Sequence, residues 1–498
     1  MRLGVVIEII IPLLALFCPA GAGAKGARVA PSAAPPPNFL RPCRGPGSEA
    51  GALCGTYEVF ENRASRRGRR IALNIVVLPA LSEKPAPDAV FFFAGGPGQG
   101  AASLAAVIAE PMARIRRERD LVLLDQRGTG KSNPLTCNLY GAGDELRDYY
   151  GEMFPVAKVR ECREQLERVA DLRQYTTSVA VEDLDEVRRA LGYERINLYG
   201  GSYGTTVALA YLRRYGRHVR SVVLAGAAPP GFKLPLPFAR GGEHALKRVM
   251  EDCAADAACR SEFPNLREEL AAVLTRLDEG PVSLGLINPS NKQSQRFSMG
   301  RGVFAERLRM LLFDPGNASL VPLLVHRAYL GDYAPFVRAA LPQARGIYRS
   351  LSIGMYFSVT CSENVPLISE QEIGRETAGT FLGDYRTRVH INACREWPRG
   401  VVTQDFTRAV DSDAPVLILS NEADPAAPYW FGADAARHLP NGRQVIIRQV
   451  GHAYFSPCIS GVVAEFISKG SAAGLNTSCL DNMARPPFAT ELPAELSR

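Results

Sequence analysis

The sequence predicts an α/β fold in which a mostly parallel sheet is flanked by helices and interrupted by a mainly helical insertion. Short apolar runs rich in β-branched residues alternate with amphipathic stretches, as in sheets whose strands are buried on both faces. This alternation stops between residues 231 and 410, where helical patterns dominate, and then resumes. A glycine-flanked serine, Ser202, lies where one apolar run gives way to a helical pattern. At 498 residues, the chain is long enough for a large domain that carries an insertion.

The N-terminus has the pattern of a secretory signal. Arg2 precedes an apolar run over residues 9–18, and the small residues at 20–24 offer cleavage sites. The run is shorter than the roughly 20 residues that a membrane-spanning helix needs. A lipoprotein anchor at Cys18 is the alternative, although the residue before it is too large for the usual lipobox. We expect residues 1–24 to be a signal peptide, and the protein to be periplasmic or extracellular without stable membrane insertion.

The rest of the chain divides into a leader, a core in two parts and an inserted cap. Residues 25–42 are rich in proline and alanine and predict a flexible leader. Residues 43–230 and 411–498 carry the alternating pattern and predict the two parts of the core, whereas residues 231–410 predict the helical cap. The apolar runs that predict core strands are residues 71–78, 89–93, 121–124, 196–199, 221–224, 416–419 and 445–450.

Cysteine usage indicates an oxidising compartment. Of the 11 cysteines, ten remain if Cys18 leaves with the signal, and an even number in an exported chain favours disulfides. A metal site is disfavoured, because the sequence has no C-x-x-C motif and no cysteine–histidine cluster. Sequence alone leaves the connectivity open. Taken in sequential order, the candidates are Cys43 and Cys54, Cys137 and Cys162, Cys253 and Cys259, Cys361 and Cys394, and Cys458 and Cys479.

Charge and glycine patterns exclude several classes of binding protein. The net charge of +7 is small for this length and the basic residues are scattered, so nucleic acid is not an expected partner. Residues 96–101 fit the dinucleotide pattern G-x-G-x-x-A, but Pro97 lies inside the turn and no acid at the end of a predicted strand is obvious about 20 residues further on. Residues 125–132 resemble a P-loop only superficially, because Asp125 replaces its first glycine. We expect neither a metal nor an organic cofactor.

The strongest functional signal is a G-x-S-x-G motif over residues 200–204. It follows a predicted strand and opens a predicted helix, the context in which this motif forms a sharp turn that exposes the serine hydroxyl. The N–H of Tyr203, at the helix N-terminus, is placed to stabilise a developing oxyanion. The alternative is a glycine-rich turn with an incidental serine. We interpret Ser202 as the nucleophile of a hydrolase.

A serine hydroxyl needs a base, and the sequence has six histidines. His452 follows the last predicted strand, at the sheet edge where side chains of an α/β active site emerge. His438 lies in a predicted helix and is more consistent with the surface. The other four lie near cap helices or behind the nucleophile helix. We therefore predict that His452 is the base.

The acid of the triad is expected between the serine and the histidine in the sequence. Asp424 follows a predicted strand by a short loop and would orient His452. Glu422 on the same loop and the more distant Asp434 are the alternatives. We favour Asp424, because the loop must extend past the end of the strand to reach the base.

A second oxyanion donor is expected from the glycine turn over residues 95–98, which directly follows a predicted strand. Pro97 has no N–H, so Gly96 is the candidate donor beside Tyr203. Asp125 and Arg127 follow the neighbouring strand. We expect both to be members of ion pairs that support this turn.

Together these motifs resemble the α/β-hydrolase family of proline iminopeptidases and secreted tripeptidyl aminopeptidases. The resemblance spans roughly residues 43–485 and is weakest in the cap. It implies the α/β-hydrolase fold, with a mostly parallel eight-stranded sheet, flanking helices, an inserted cap and a TAP-like C-terminal region. The matching segments are GGPG at 95–98, DQRGTGKS at 125–132, GGSYG at 200–204, D-P-x-x-P at 424–428 and the glycine–histidine pair at 451–452.

The resemblance further implies removal of residues or short peptides from the N-terminus of a peptide. Such an enzyme needs an anion that holds the free α-ammonium of the substrate. Glu363 and Glu396 are candidates, since a bond between Cys361 and Cys394 would bring their segments together. The alternative is that both glutamates lie at the surface or pair with arginines.

The function predicted from the sequence is therefore an exported serine hydrolase, and most specifically an aminopeptidase that forms an acyl-enzyme. Its expected substrates are peptides or small esters. An esterase or lipase on the same triad is the first alternative, because one fold hosts many substrates. A hydrolase-fold binding protein without catalysis is the second, and the intact triad disfavours it.

Overall fold

The computed structural model describes residues 37–44, 51–139, 144–452 and 455–497. The predicted signal peptide and residues 25–36 of the predicted leader lie outside the described residues. Within the part of the chain that is described, no helix is both long enough and apolar enough to cross a membrane.

The core is a nine-stranded sheet with the order β1-β2-β3-β5-β4-β6-β7-β10-β11. The pairs from β5 through β11 are parallel, and the pairs that join β1, β2, β3 and β5 are antiparallel. The strands are β1 Leu40–Cys43, β2 Ala52–Phe60, β3 Arg70–Leu78, β4 Val90–Phe93, β5 Leu121–Leu124, β6 Ile196–Gly201, β7 Val219–Ala225, β8 Val282–Ile287, β9 Ser294–Met299, β10 Val416–Asn421 and β11 Gly442–Ile447.

The sheet confirms the predicted fold and adds a strand to the expected eight. All seven apolar runs form strands, although β11 begins and ends three residues earlier than predicted. The sequence analysis missed β1 and β2. Only one of the four residues of β1 and two of the nine residues of β2 are buried, so both lack the continuous apolar run that marks the central strands.

Two apolar layers cover the sheet, one on each face. In β4, Phe91 packs in one layer and Phe92 in the other, and in β6 Leu198 and Tyr199 divide in the same way. Every residue of β4 and β5 is buried. Because the side chains of a strand alternate between faces, burial on both sides requires apolar residues at successive positions.

The helices of the two core parts connect and cover these strands. They are α1 Ala105–Ala109, α2 Ala113–Arg116, α3 Leu146–Tyr150, α4 Val156–Glu167, α5 Thr177–Ala190, α6 Tyr203–Tyr215, α16 Tyr429–Ala436, α17 Pro457–Lys469 and α18 Ala494–Ser497.

Between β7 and β10 the chain forms the cap, which is helical apart from the antiparallel hairpin of β8 and β9. The sequence analysis did not predict this hairpin, whose positions alternate between exposed and partly buried. The cap helices are α7 Pro237–Ala255, α8 Ala257–Glu262, α9 Leu266–Glu279, α10 Arg301–Leu311, α11 Pro315–Tyr329, α12 Ala334–Ser350, α13 Ile353–Glu363, α14 Glu370–Thr377 and α15 Tyr385–Arg395.

Five disulfides join the ten candidate cysteines in sequential order. Within the cap, the bond between Cys361 and Cys394 ties α13 to α15. A nitrogen of His390 lies within 4.8 Å of both sulfur atoms, but the bonded sulfurs offer no thiolate pair to a metal. The bonds are Cys43–Cys54, Cys137–Cys162, Cys253–Cys259, Cys361–Cys394 and Cys458–Cys479.

Candidate active site

Ser202 occupies a strained turn between β6 and α6. Its φ of 55° and ψ of −124° lie in a region that residues other than glycine rarely adopt. The turn is held because the Ser202 N–H donates to the carbonyl of Ala225 at 2.8 Å. A Cβ at Gly204 would lie 2.1 Å from the Phe93 carbonyl oxygen, and one at Gly200 would lie 2.4 Å from the carbonyl oxygen of Gly204. The two flanking glycines of the motif are therefore required by close backbone packing.

His452 and Asp424 form a buried pair. Nδ1 of His452 lies 2.9 and 2.8 Å from the two carboxylate oxygens of Asp424. Oδ1 of Asp424 also accepts hydrogen bonds from the N–H groups of Ala426 and Ala427, both at 2.8 Å. Burial opposes ionisation, but His452 and the two backbone donors outweigh it and lower the pKa of Asp424. The rival Glu422 instead faces Arg248, at 3.9 Å.

The end of β7 lies between Ser202 and this pair. The carbonyl of Ala225 accepts the Ser202 N–H, and Gly226 follows directly. A Cβ on Gly226 would lie 3.3 Å from Cε1 of His452 and 3.4 Å from Oδ2 of Asp424. The three predicted residues thus lie around the carboxyl ends of the central parallel strands, where α/β sheets place their sites.

The cap also contacts the loop that carries His452. The N–H of His452 donates to the carbonyl of Phe313 at 2.8 Å, and the two rings meet edge to face with centroids 5.0 Å apart. From the core side, Asn421 donates to the Gly451 carbonyl at 2.5 Å. Sequence reasoning missed Phe313, since the main interaction comes from a backbone carbonyl that any residue could supply.

The two proposed oxyanion donors border Ser202. A Cβ on Gly95 would lie 3.1 Å from the Cβ of Ser202, so the glycine turn directly abuts the nucleophile. Tyr203 is the first residue of α6, where N–H groups have no partner within the helix. Among the described residues, neither the Gly96 N–H nor the Tyr203 N–H donates to another protein group.

Asp125 supports the glycine turn and forms no ion pair with any described residue, so the expected ion pair was wrong for Asp125. Its Oδ1 accepts the N–H of Ala102 at 2.8 Å, and its Oδ2 accepts from Asn74 at 2.8 Å and Lys131 N–H at 3.0 Å. These three donors occupy the carboxylate. Arg127 does form an ion pair, with both oxygens of Asp183.

Glu363 lies inside the protein, 2% exposed. Its two oxygens accept hydrogen bonds from the backbone N–H and the hydroxyl of Thr177, each at 2.6 Å. The Thr177 hydroxyl also lies 2.7 Å from the phenol oxygen of Tyr203. Burial raises the pKa of Glu363 to about 7, although the bonds from Thr177 oppose this. Each oxygen of the Glu363 carboxylate is therefore already bonded to Thr177.

Glu396 has different partners from Glu363. Its carboxylate binds the guanidinium of Arg160 through two hydrogen bonds of 3.0 Å, and Arg163 donates to its backbone carbonyl. The Arg160 hydrogen bonds lower the pKa of Glu396. This is the surface ion pair that the sequence left open as the alternative to amine binding.

Comparison with known proteins matches both parts of the core. The alpha/beta hydrolase fold family matches residues 88–301, and the TAP-like protein family matches residues 379–479. The serine protease Hip1 of Mycobacterium tuberculosis is 26% identical, over 88% of this chain and 90% of that protein. Tripeptidyl aminopeptidase of Streptomyces coelicolor is 23% identical, over 88% and 84%. Carboxylesterase B of Mycobacterium tuberculosis is 27% identical, over 78% of each chain.

Proposed function

We propose that this chain, which matches an alpha/beta hydrolase fold family and a TAP-like protein family, is an exported serine hydrolase and, more specifically, an aminopeptidase that releases N-terminal residues or short peptides. The observation that carries this proposal is the buried pair of His452 and Asp424 beside the strained turn of Ser202. Two relatives aligned over most of this chain are named a serine protease and a tripeptidyl aminopeptidase.

The proposed triad works by acyl transfer. Asp424 accepts a hydrogen bond from Nδ1–H of His452, which leaves Nε2 free to take the proton of the Ser202 hydroxyl. The serine oxygen attacks the scissile carbonyl, and the protonated histidine then gives its proton to the leaving amine. Water, deprotonated by His452, attacks the acyl-enzyme and releases the N-terminal fragment. The N–H groups of Gly96 and Tyr203 hold the oxyanion, and each such donor typically contributes about 10²–10³ in kcat.

The cap supports an exopeptidase more than an open-cleft protease. Phe313 borders His452, while Leu351 pairs with Gln99 on the glycine turn. Cap residues therefore wall the site on two sides, an arrangement that limits how far a peptide extends beyond the scissile bond.

A carboxylesterase is the second candidate, and the environment of the glutamates favours it. Glu363 is buried against Thr177, and Glu396 pairs with Arg160, so neither predicted amine ligand presents a free carboxylate. An ester substrate needs no such anion. One relative is named a carboxylesterase.

The deciding experiment compares trialanine p-nitroanilide with its N-acetylated form, using p-nitrophenyl acetate as a third substrate. The aminopeptidase proposal expects turnover of the free-amino peptide alone among the two anilides, and none by Ser202→Ala. Equal cleavage of both anilides, or cleavage of the ester only, would replace it with the esterase. No reaction of wild type with a fluorophosphonate probe would instead support the binding protein.

Export is a separate proposal, supported by five disulfides in the described chain, since such bonds persist in oxidising compartments. Expression with the native N-terminus in a bacterium with a periplasm should yield a periplasmic protein whose first residue follows position 22 or 24. A cytoplasmic protein that still begins at Met1 would contradict export.

A further inference from the structure

The cap helix α13 is linked at each end to one of the proposed oxyanion donors, to the glycine turn directly and to Tyr203 through Thr177. At its N-terminal end, Ser352 N–H donates to the Gly98 carbonyl at 2.9 Å, and Leu351 forms an antiparallel bridge with Gln99. Gly98 and Gln99 belong to the turn that carries Gly96. The approach is close, because a Cβ on Gly98 would lie 2.8 Å from the Ser352 carbonyl oxygen.

At its C-terminal end, α13 reaches the other donor through a short chain of hydrogen bonds. Glu363 accepts both the N–H and the hydroxyl proton of Thr177. With its proton committed to the carboxylate, the Thr177 hydroxyl can only accept from Tyr203, 2.7 Å away. The carboxylate of Glu363 thus sets the donor and acceptor in each of these hydrogen bonds. The side chain of Tyr203 is held through its phenol oxygen, and its backbone N–H lies at the start of α6.

We propose that Glu363 is a positioning residue, which acts through Thr177 to hold Tyr203 and so fixes the oxyanion N–H that Tyr203 supplies. With the bridge at Leu351, helix α13 then sets the spacing between the two donors. This inference rests on the proposed function in one respect, namely that Ser202 performs acyl transfer at this turn. Such donors must be held before the reaction begins, because their benefit comes from not having to reorganise in the transition state.

The test breaks this chain of hydrogen bonds with isosteric substitutions. Thr177→Val keeps the volume and deletes the hydroxyl, and Glu363→Gln presents an amide that donates where the carboxylate accepted. We expect each to lower kcat by about tenfold to a hundredfold and to leave KM within twofold, because a displaced donor weakens the transition state alone. Thr177→Ser, which keeps the hydroxyl, should retain most of the wild-type kcat.

The matched control is Thr360→Val. Thr360 is a buried threonine of α13 itself, and its hydroxyl contacts His390 at 2.8 Å in the cap rather than the oxyanion loops. We expect it to lower the melting temperature like Thr177→Val but to leave kcat within twofold. An equal fall in kcat for both valine variants would overturn the proposal, since it would show a general effect of loosening the cap.

A double-mutant cycle tests whether the effect passes through Tyr203. Tyr203→Phe removes only the phenol oxygen, so it is informative even if Glu363→Gln does not fold. Both substitutions break the same chain of hydrogen bonds. The double variant with Thr177→Val should therefore have a kcat no lower than that of the less active single variant. Additive losses would overturn the proposed route.

All rates are measured on both the free-amino peptide anilide and p-nitrophenyl acetate. If wild type cleaves only the ester, the aminopeptidase assignment fails, and the fall in kcat on the ester still supports the positioning role. If Ser202→Ala is inactive while Thr177→Val and Glu363→Gln keep wild-type kcat, the positioning role fails and the proposed triad stands.

Discussion

Two carboxylates on the loop after β10 lie two residues apart and meet different surroundings. Asp424 is fully buried against His452, whereas Glu422 faces Arg248. We predict that Asp424→Asn lowers kcat by roughly 10³–10⁴-fold, because an amide favours the wrong tautomer of the histidine. Glu422→Gln should keep kcat within twofold. Initial rates with the best substrate of the wild type check both, and a reversed ranking would make Glu422 the acid.

Glu363 also makes stability depend on pH. Its pKa is about 7 in the folded protein against 4.5 for an unperturbed glutamate, so the folded state binds the proton more tightly. This stabilisation is complete below about pH 4.5, falls as the pH rises to about 7 and is absent beyond.

Glutamine at this position cannot titrate. Relative to wild type, Glu363→Gln should therefore gain about 3 kcal/mol in free energy of unfolding between pH 4.5 and 8. Urea unfolding at the two pH values measures this difference. A constant gap between the two proteins would mean that Glu363 does not carry this ionisation. The same variant is expected to lose kcat, so the buried carboxylate lowers stability at high pH but supports the reaction.

Among the elements, the segment that follows α10 contacts the loop that carries His452 from the cap side. The Phe313 ring meets the His452 ring edge to face, and the Arg309 guanidinium lies over the Phe313 ring, 5.2 Å from the ring centroid. We predict that Phe313→Ala lowers kcat roughly tenfold, since the imidazole loses this ring contact. The control is Phe488→Ala, another half-buried phenylalanine under an arginine, Arg485 at 5.4 Å. Equal kcat in the two variants would contradict this role.

The elements that could be predicted from the sequence are those whose signal is local. β4 and β5 are buried on both faces and stand out as apolar runs, and the turn of Ser202 needs glycines at fixed positions. The strands β1 and β2 and the hairpin in the cap carry no such run, because one side of each is partly exposed.

The candidate site divides in the same way. Ser202, Asp424 and His452 all follow strand ends, and chain order and strand position predicted the pair of Asp424 and His452, while the triad with Ser202 stays a prediction. The support from Phe313 and the chain from Glu363 through Thr177 join cap to core across long stretches of sequence. The sequence singled out Glu363 for its charge alone. Its hydrogen-bond partners are what favour the proposed role of holding Tyr203 over that of binding an amine.

Over the whole molecule, the disulfides differ in the length of chain that they close. Cys361–Cys394 spans 33 residues and Cys253–Cys259 spans 6. In the chain-entropy account, the longer loop contributes about 4 kcal/mol and the shorter about 2 kcal/mol. Replacing the first pair by alanine should therefore lower the free energy of unfolding more.

The first replacement should also lower kcat, because it releases α13 from α15 while the second leaves α13 untouched. Urea unfolding and steady-state rates on the two double variants measure both effects. Equal losses of stability, or a larger fall in kcat for the alanine variant of Cys253–Cys259, would contradict this account.

The cap separates Ser202 from Asp424 and His452 along the chain, and this has a consequence for biosynthesis. A protein is made from its N-terminus, so the nucleophile and both oxyanion donors leave the ribosome first, the cap follows, and the acid and base come last. The hydrogen bond between His452 and Phe313 can form only after both segments have been made. A chain that stops before residue 424 holds a serine without a base. On the proposed triad, a growing chain of this hydrolase therefore has no catalytic base until residue 452 has been added.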